Sequence, residues 1–523
     1  MTTFTAHDPR TGAPLDPTFT EADAAAVDAA VAAAVAAAPV LAGMTLHDRA
    51  ALLDAAADAL DAEGDALVAR ADLETALGVV RLTGELARTT GQLRAFAAAV
   101  REGAQLGVVI DHADATATPP RPDLRRTMVP VGVVAVFGAS NFPLAFGVAG
   151  GDTASALAAG CPVVAKAHPS NAGTSALVAE VIGATLARLG LPAGTFTLLQ
   201  GAGNEVGSAL VTHPDVAAVG FTGSLRGGRA LADLAAARPE PIPVFAEMGS
   251  HNPVWITPAA LAVRGDAIAG ALGASATLGV GQFCTKPSVV FLPDDGTDAT
   301  GGAVDAFVAA LAASVSAAQL GPMLDARIRD HFTARRAELA ALPGITDATS
   351  SGDEDGATGD HGAAVRAGVL VTDLATWRRE PLVREECFGP LVIVVRTPVR
   401  ELVDAAASVP GGLTASIWSE PAEPAERELA TALLAAVTQR VGRVLHDGVP
   451  TGVTVGWAQQ HGGPYPATTA PGTTSVGMHA MDRFLRPVAY QDVPEALLPV
   501  WLTDANAWAL PRRVDGQLEP PSR

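Results

Sequence analysis

Apolar residues recur about every three or four positions through the first hundred residues of the chain, which is the spacing of an amphipathic helix. Helices are predicted over Glu21–Ala38 and His47–Asp61, both rich in alanine, and over Val79–Arg101. The positions of the third helix that are expected to face a core are Leu82, Leu86, Leu93, Phe96 and Val100. The N-terminal part of the chain is therefore predicted to be helical.

From Val131 onward the pattern changes to short apolar runs that alternate with helical stretches. The runs predicted as strands are Val131–Phe137, Pro162–Ala165, Phe196–Leu199 and Val216–Phe221. The helices predicted between and after them are Leu144–Ala159, Thr174–Leu189, Glu205–Val211 and Leu225–Ala236. Such alternation is typical of right-handed βαβ crossovers and of a parallel sheet covered by helices.

A second alternating set begins near Pro253 and ends near Leu445. Its predicted helices are Leu261–Leu278 and Val304–Ala318, and its predicted strands are Ser288–Leu292, Leu391–Val395 and Thr414–Trp418. The pattern therefore predicts a second α/β domain. The polar tail after Ala509 is expected to be poorly ordered.

The stretch from Met128 to Gly151 carries no charge and is long enough to suggest a membrane span. Prolines and glycines interrupt it repeatedly, so a buried strand, a tight loop and a helix are predicted instead. The N-terminus shows no basic stretch followed by an apolar core, and no secretory signal is predicted.

Composition and charge narrow the possible partners. A net charge of −20 and a pI near 4.9 disfavour nucleic acids, because phosphate binding needs clustered cations. The three cysteines, Cys161, Cys284 and Cys387, are too few and too scattered for a disulfide framework or a structural zinc site, so no metal is predicted. A reducing cytoplasm fits this usage, and neither a nucleic acid nor a membrane is expected as a partner.

Two segments suggest a nucleophile and a base. Cys284 lies in a Gly-containing loop after a predicted helix, where a lowered pKa would make the thiol reactive. Glu247 lies among apolar residues at a strand end, where burial would raise its pKa toward that of a general base. Singly, a buried apolar cysteine and a glutamate paired with an arginine are the more ordinary readings.

Three further segments follow predicted strands. Asn141 could donate a hydrogen bond to an oxyanion, or could cap the next helix. Lys166, His168 and Ser170 suit a phosphate or a ribose, and the turn with Gly223 and Ser224 suits a pyrophosphate. A fourth segment sets Glu386 before Phe388 and a turn. For the sites beyond Asn141, taken singly, a solvated or purely structural role is the more ordinary interpretation.

Together and in this order, these motifs resemble the aldehyde dehydrogenase family over nearly the whole chain, as far as the segment 486–491. The resemblance implies an α/β fold with two doubly wound parallel-sheet domains and a small β oligomerisation element. The expected divisions are residues 1–108 with 131–248 for NAD(P) binding, 249–450 for catalysis, 109–130 with 478–500 for oligomerisation, and 510–523 as a flexible tail. A homodimer or homotetramer is expected.

The resemblance also implies residue roles. Cys284 matches the nucleophile that forms a thiohemiacetal and then a thioester, and Asn141 with the Cys284 N–H matches the oxyanion donors. Glu247 matches the base that activates water, with action on the thiol as a further option. Glu386 matches the acid that holds the nicotinamide ribose, with Phe388 nearby. The residues that match other cofactor contacts are Lys166, Gly223 and Ser224.

The cofactor follows from one position. Pro169 stands where NAD-preferring relatives commonly have a glutamate, so no carboxylate is expected to repel a 2′-phosphate. NADP is favoured, with Lys166, His168 and Ser170 as its receivers, and NAD is also possible. The residue that matches the base, Glu247, favours water over coenzyme A as the acyl acceptor.

For the substrate, the motifs are most similar to the branch that oxidises α-ketoglutarate semialdehyde (2,5-dioxopentanoate) to 2-oxoglutarate. An NADP-linked dehydrogenase of medium or long aliphatic aldehydes is the alternative, and a non-catalytic protein on the same fold is a remote one. Arg94 with Gln92 is a candidate for the substrate carboxylate, although their spacing puts them on different helix faces. A solvated or structural Arg94 fits the sequence at least as well. Phe142 and Phe146 are expected to line the tunnel.

Overall fold

The computed structural model describes residues 2–296, 298–349 and 363–520. The elements before residue 249 are β1 (Thr3–His7), β2 (Pro14–Thr20), α1 (Ala24–Ala42), α2 (Leu46–Ala62), α3 (Gly64–Thr75), α4 (Val79–Glu102), β3 (Val108–Asp111), β4 (Leu124–Pro130), β5 (Val133–Phe137), α5 (Gly151–Ala159), β6 (Val163–Lys166), α6 (Ala172–Arg188), β7 (Phe196–Leu199), α7 (Glu205–Thr212), β8 (Val216–Thr222), α8 (Leu225–Ala236) and β9 (Val244–Glu247).

The elements from residue 249 onward are β10 (Val254–Ile256), α9 (Pro258–Thr277), β11 (Val289–Pro293), α10 (Asp298–Ser316), α11 (Ala326–Ala340), β12 (Thr346–Asp347), β13 (Gly368–Asp373), α12 (Leu374–Arg379), β14 (Leu391–Thr397), α13 (Leu402–Ala407), β15 (Gly412–Trp418), α14 (Pro424–Thr438), β16 (Val441–His446), β17 (Leu485–Gln491), β18 (Arg512–Val514) and β19 (Gln517–Glu519).

The first sheet is parallel and has the order β7-β6-β5-β8-β9. Alternate residues of β5 face opposite sides: Val133 and Ala135 pack with α1, α7 and α8, whereas Val134 and Val136 pack with α2, α4, α5 and α6. The predicted helix over 79–101 is confirmed, and its five predicted core positions are buried. The predicted doubly wound arrangement is therefore confirmed for this sheet.

The register of this sheet brings the predicted site segments to one edge. Phe137 pairs with Lys166 on one side and with Phe221 on the other, and Thr222 pairs with Glu247. Because the strands are parallel, their carboxyl ends meet at the same edge, where ligands bind in open α/β sheets.

The helix predicted over 144–159 is wrong in its first half, because α5 begins only at Gly151. A Cβ on Gly147 would lie 1.9 Å from the Pro143 carbonyl oxygen. The chain therefore makes tight turns here, and Glu85 Oε1 accepts the N–H groups of Leu144 (2.9 Å) and Ala145 (3.0 Å) in place of a helical partner. Asn141 consequently precedes a loop and caps no α-helix.

The second sheet has the order β12-β13-β14-β11-β10-β15-β16 and is parallel except for the β12–β13 pair. Val290 and Leu292 of β11 pack with α9 and α10 on one face. Val289 and Phe291 pack with α11 to α14 on the other face. The predicted second α/β unit is thus confirmed as a doubly wound sheet.

The third sheet, β17-β4-β3-β18-β19, contains most of the predicted flexible tail, and that prediction is wrong for residues 512–519. β18 adds parallel to β3 and returns through a hairpin to β19. Asp515 and Gly516 both have positive φ (46° and 81°), as a two-residue hairpin turn requires. Residues 521–523 lie outside the described residues.

One helix among the described residues, Ala24–Ala42, is long and apolar enough to cross a membrane by length and composition. Its Val27, Val31 and Ala34 are buried against the first sheet. The uncharged segment that the sequence analysis singled out, 128–151, is a different one, and its residues 133–137 form the buried strand β5.

Candidate active site

Cys284 lies on a loop whose path depends on glycine. After α9 the backbone has positive φ at Gly279 (56°), Val280 (60°) and Gly281 (67°). A Cβ on Gly281 would lie 2.5 Å from the Gly389 carbonyl carbon. The loop thus reverses in a space that only a residue without a side chain fits, and it carries the thiol toward the first sheet.

Two buried amides hold this loop from either side. The Gln282 side chain accepts the Leu324 N–H (3.0 Å) and donates to the Gly279 carbonyl (3.1 Å). Asn252 Nδ2 donates to the carbonyl oxygens of Cys284 (2.8 Å) and Lys286 (2.9 Å). The position of the thiol is therefore fixed by hydrogen bonds within the protein.

Glu247 ends β9 and is 4% exposed. It pairs with Thr468 in an isolated bridge, so a segment after β16 runs along the end of the strand. Ser475 from the same segment donates its hydroxyl to Glu247 Oε2. The segment that contains Thr468 and Ser475 therefore covers Glu247.

His461 is the functional residue that the sequence reasoning missed. Its Nε2 lies 2.9 Å from Glu247 Oε1 and 3.5 Å from Cys284 Sγ. The side chain is fully buried, and the Thr474 hydroxyl accepts the His461 N–H (2.9 Å). The only signal for it was a titratable residue in a segment of glycines and prolines, 177 positions away from the cysteine.

The pKa of Cys284 is raised well above that of an ordinary thiol, which corrects the prediction of a lowered pKa. Burial is the main cause, and the negative charges of Glu247 and Glu386 add to it. Arg88 and Arg443 act in the opposite direction without outweighing these causes. The resting thiol is thus protonated at neutral pH and needs a proton acceptor.

The pKa of Glu247 is lowered, and the prediction of a raised pKa is wrong. Burial alone would raise it, but His461 and the hydroxyl of Ser475 outweigh burial. The sequence predicted that Glu247 is buried but did not identify His461 and Ser475 as its partners. The carboxylate is therefore ionised and forms one unit with the imidazole.

The atoms Cys284 Sγ, His461 Nε2 and a Glu247 carboxylate oxygen lie within 4.8 Å of one another. A thiol, an imidazole and a carboxylate are also a ligand set that suits zinc. No metal was predicted from the sequence.

Asn141 is brought next to the cysteine loop. Its Nδ2 donates to the Gln282 carbonyl (3.0 Å), and its backbone carbonyl accepts from Arg81 Nη2 (2.7 Å). One amide hydrogen is left for another acceptor. The N–H of Cys284 donates no hydrogen bond within the described part of the chain.

The predicted cofactor residues line the carboxyl edge of the first sheet. Lys166 is 9% exposed, and its ammonium makes no hydrogen bond with the residues that the structure describes. Burial and nearby Arg327 lower its pKa to about 8. Ser224 caps α8 by accepting the Gly227 N–H (3.1 Å). The Gly223 N–H donates to the Glu247 carbonyl (3.0 Å) and so is not free for a phosphate.

Two of the residues predicted to receive a 2′-phosphate have other partners. His168 Nδ1 accepts the Ser170 N–H (3.2 Å), and burial lowers the pKa of this imidazole, so it carries no positive charge. Ser170 Oγ donates to Asp325 Oδ2 (2.7 Å). Asp325 also lies 3.6 Å from Arg327. The expectation that no carboxylate stands here is therefore wrong, since α11 supplies one from the second unit.

Glu386 approaches the site from the other side. A Cβ on Gly249 would lie 2.2 Å from Glu386 Oε2, so the glycine leaves room for the carboxylate. Burial raises the pKa of Glu386 to about 7, although Lys286 and the Ser250 N–H oppose the rise. Phe388 is half-buried two residues further along.

The predicted tunnel residues form an aromatic cluster beside the thiol. The rings of Phe142 and Phe146 lie 5.5 Å apart, and Phe142 lies 5.0 Å from Phe283. Phe146 lies 6.3 Å from the ring of His461. The two predicted phenylalanines are therefore near the reacting groups, although their segment is not helical.

Arg94 is not near the site, and its predicted contact with substrate is wrong. Its Nη2 lies 2.7 Å from both Asp58 and Asp61 on α2, at the protein surface. Gln92 is buried instead, with its Nε2 against Gly151, so the two residues do lie on different faces of α4. The spacing of Gln92 and Arg94 did not show which face of α4 points toward the site.

Comparisons with known proteins agree with this geometry. A model of the aldehyde dehydrogenase family matches residues 2–452. The chain is 48% identical over 522 residues to alpha-ketoglutaric semialdehyde dehydrogenase 2 of Azospirillum brasilense, covering 99% of this chain and 96% of that protein. It is 42% identical to alpha-ketoglutaric semialdehyde dehydrogenase of Acinetobacter baylyi, covering 82% and 78%. The crystal structure of PnpE with nicotinamide adenine dinucleotide has a TM-score of 0.78 at 22% identity, covering 94% of each chain.

Proposed function

Because the chain belongs to the aldehyde dehydrogenase family and is an oxidoreductase that acts on aldehydes, we propose that it oxidises 2,5-dioxopentanoate to 2-oxoglutarate. The two similar proteins named as alpha-ketoglutaric semialdehyde dehydrogenases support this substrate. The observation that carries the chemistry is the contact of His461 with both the Cys284 thiol and the Glu247 carboxylate.

In the proposed first step His461 removes the thiol proton. In the tautomer whose Nε2 carries no hydrogen, this atom accepts the proton from Cys284 Sγ, and the imidazolium that forms is stabilised by Glu247 at 2.9 Å. The raised pKa keeps the resting thiol neutral, so the thiolate forms at neutral pH only through this transfer. Sγ then bonds to the aldehyde carbon and forms a thiohemiacetal.

The carbonyl oxygen of the substrate becomes negative in this step. Asn141 Nδ2 and the N–H of Cys284 are the proposed donors. Asn141 contacts the cysteine loop at Gln282, and both groups retain an unused hydrogen among the described residues. The hydrogen bond from Asn141 to the Gln282 carbonyl positions the amide before substrate binds.

A nicotinamide dinucleotide, when bound, supplies the hydride acceptor that turns the thiohemiacetal into a thioester. The residues present fit such a group: Lys166 has a buried ammonium without a hydrogen-bond partner among the described residues, and the N-terminus of α8 at Ser224 is exposed. We propose Glu386, with Phe388, as the acid that holds the nicotinamide ribose.

For release of the product we propose water as the acyl acceptor. After the imidazolium has released the thiol proton to solvent, Glu247 and His461 together take a proton from water, whose oxygen attacks the thioester carbon. The thiolate leaves and regains this proton. The carboxylate is held by Ser475 on its other oxygen. A free acid is then the product.

We propose NADP as the preferred cofactor, with NAD also accepted. The argument now rests on Lys166 and Arg327, since His168 is neutral and Ser170 is engaged. Arg327 lies 3.6 Å from Asp325, and the charge of Glu21 acts on Lys166, so two carboxylates offset these cations until a 2′-phosphate takes their place. Arg327→Ala should reduce kcat/KM with NADP more than with NAD, and equal losses would refute this assignment.

An aliphatic aldehyde is the second candidate substrate, which the cluster of Phe142, Phe146 and Phe283 favours. Comparing kcat/KM for 2,5-dioxopentanoate, pentanal and decanal decides between them. A higher value for decanal than for 2,5-dioxopentanoate would overturn the proposed substrate while leaving the thioester chemistry intact.

We propose that the third sheet mediates a homodimer or homotetramer. Strand β17 pairs with β4 on one side only among the described strands, and four of its seven residues are exposed. Light scattering on the full chain measures the mass, and a monomer would refute this proposal. All three cysteines are free, which supports a cytoplasmic location.

A further inference from the structure

Three arginine side chains come near the Cys284 site, and they differ in their partners. Arg81 donates to the Asn141 carbonyl (2.7 Å) and stacks on Phe142. Arg443 donates through both Nη atoms to backbone carbonyls of the loop after β16 (3.0 and 2.7 Å). Each of these two groups thus has at least one acceptor from the protein, although Arg81 Nη1 and Arg443 Nε are buried without one among the described residues.

Arg88 has no such acceptor. Both of its Nη atoms are buried and lack a hydrogen-bond partner in the described part of the chain. Glu85, one turn earlier on α4, is committed through Oε1 to the N–H groups of the loop at 144–145 and makes no ion pair with Arg88 among the described residues. The charges of Glu85 and Glu247 act on Arg88 only from a distance. A guanidinium stays charged in proteins, so burial of its two Nη groups without a hydrogen-bond acceptor costs free energy.

Arg88 lies close to the reacting groups, on the far side of the Phe146 ring. Its Cζ lies 5.0 Å from the centre of the Phe146 ring. That ring lies 6.3 Å from His461, whose Nε2 is 3.5 Å from Cys284 Sγ. One aromatic ring therefore separates the guanidinium from the reacting groups, and a short aliphatic chain bound at Sγ can lie along it.

We propose that Arg88 binds the carboxylate at the far end of the aldehyde substrate. The ligand class is an aldehyde acid with a short chain between the two groups. Its carboxylate would accept both free Nη donors in a bidentate pair. This inference rests on the proposed function and adds the residue that selects an acidic aldehyde over a neutral one. It replaces Arg94, which is paired at the surface.

The test compares matched aldehydes in Arg88→Met, which keeps an unbranched apolar side chain against Phe146. We expect kcat/KM for 2,5-dioxopentanoate and 4-oxobutanoate to fall about 10- to 100-fold, mainly through KM, since a charged hydrogen bond is lost. For pentanal and butanal the change should stay within about threefold. Arg94→Met, which loses only exposed ion pairs, should match the wild-type protein.

Equal losses for acidic and neutral aldehydes would overturn the inference, because Arg88 would then act on the thiol. No loss for the acidic aldehydes would overturn it as well. If the wild-type protein itself does not prefer acidic aldehydes, the proposed substrate fails. Glutarate binding tests the anion site independently: it should raise the Tm of the wild-type protein and of Arg94→Met, but not that of Arg88→Met.

Should Arg88→Met not fold, Arg88→Lys serves in its place. It keeps the charge and loses the bidentate geometry, so the acidic aldehydes should still lose kcat/KM relative to the neutral ones. An unchanged ratio between the two classes in this variant would refute bidentate binding.

Discussion

Replacing His461 by glutamine removes the proposed proton acceptor of the thiol. The imidazole Nε2 is 3.5 Å from Cys284 Sγ and 2.9 Å from Glu247 Oε1, and glutamine provides no comparable base. A positioned general base contributes about 100- to 10,000-fold to a rate. Since Glu247 still lies within 4.8 Å of the thiol, we expect the lower end, about 100-fold, for the first hydride release.

A second effect should accompany the first. Without His461, burial of Glu247 is opposed mainly by Ser475, so the pKa of this carboxyl should rise from its lowered value. The carboxyl then ionises only at higher pH. The rate of the variant should therefore increase with pH over a range in which the wild-type rate is already constant.

The assay is stopped-flow measurement of reduced nicotinamide in a single turnover, at several pH values. His479→Gln is the matched control, because His479 is exposed and contacts Asp482 (3.0 Å) and the ring of Trp457 rather than the site. A first-turnover rate in His461→Gln within about threefold of the wild-type rate would refute the role of His461 as the proton acceptor of the thiol. Equal thermal melting of both variants excludes unfolding as the cause.

Four further outcomes are expected. Glu247→Gln should keep the first burst of reduced nicotinamide while steady turnover falls about 100-fold or more, and loss of the burst would show that the carboxylate is essential to the thiol step. Alkylation of Cys284 by iodoacetamide should accelerate with pH beyond the ordinary thiol pKa of about 8.5, because its raised pKa keeps the thiol neutral, and a plateau at pH 7 would contradict this. Gly279→Ala should lower the free energy of unfolding by about 1–3 kcal/mol, since φ is 56° and a Cβ would lie 2.3 Å from Arg81 Nη1; denaturant melts that match the wild type would contradict it. Added Zn²⁺ should inhibit reversibly through the thiol, imidazole and carboxylate, and inhibition that is undiminished in His461→Gln would place the ion elsewhere.

Much of the fold was predictable because its signals are local. Alternating apolar runs and helical stretches identified the first parallel sheet, and the direction of its strands then placed Lys166 and Glu247 at the same edge of the sheet. The hairpin at 512–519 was missed although Asp515-Gly516 is a recognised turn signal. It was missed because its strands are only three residues long.

The electrostatics of the site depended on distant parts of the chain. His461 reaches Glu247 through a segment without periodicity, so neither its place nor its effect on the carboxyl pKa followed from spacing. Arg94 was predicted and Arg88 was missed because spacing does not show which face of α4 is buried. Asp325 reaches Ser170 from the start of α11, in the second α/β unit.

The central claim is that the substrate passes through a thioester on Cys284. Glu247→Gln should be mixed with NADP and 2,5-dioxopentanoate, quenched in acid after one burst, and digested for mass spectrometry. The account predicts that the peptide with Cys284 gains the mass of the aldehyde less two hydrogens, in proportion to the reduced nicotinamide formed. Reduced nicotinamide without an adduct on this peptide, or an adduct on Cys161 or Cys387, would contradict it.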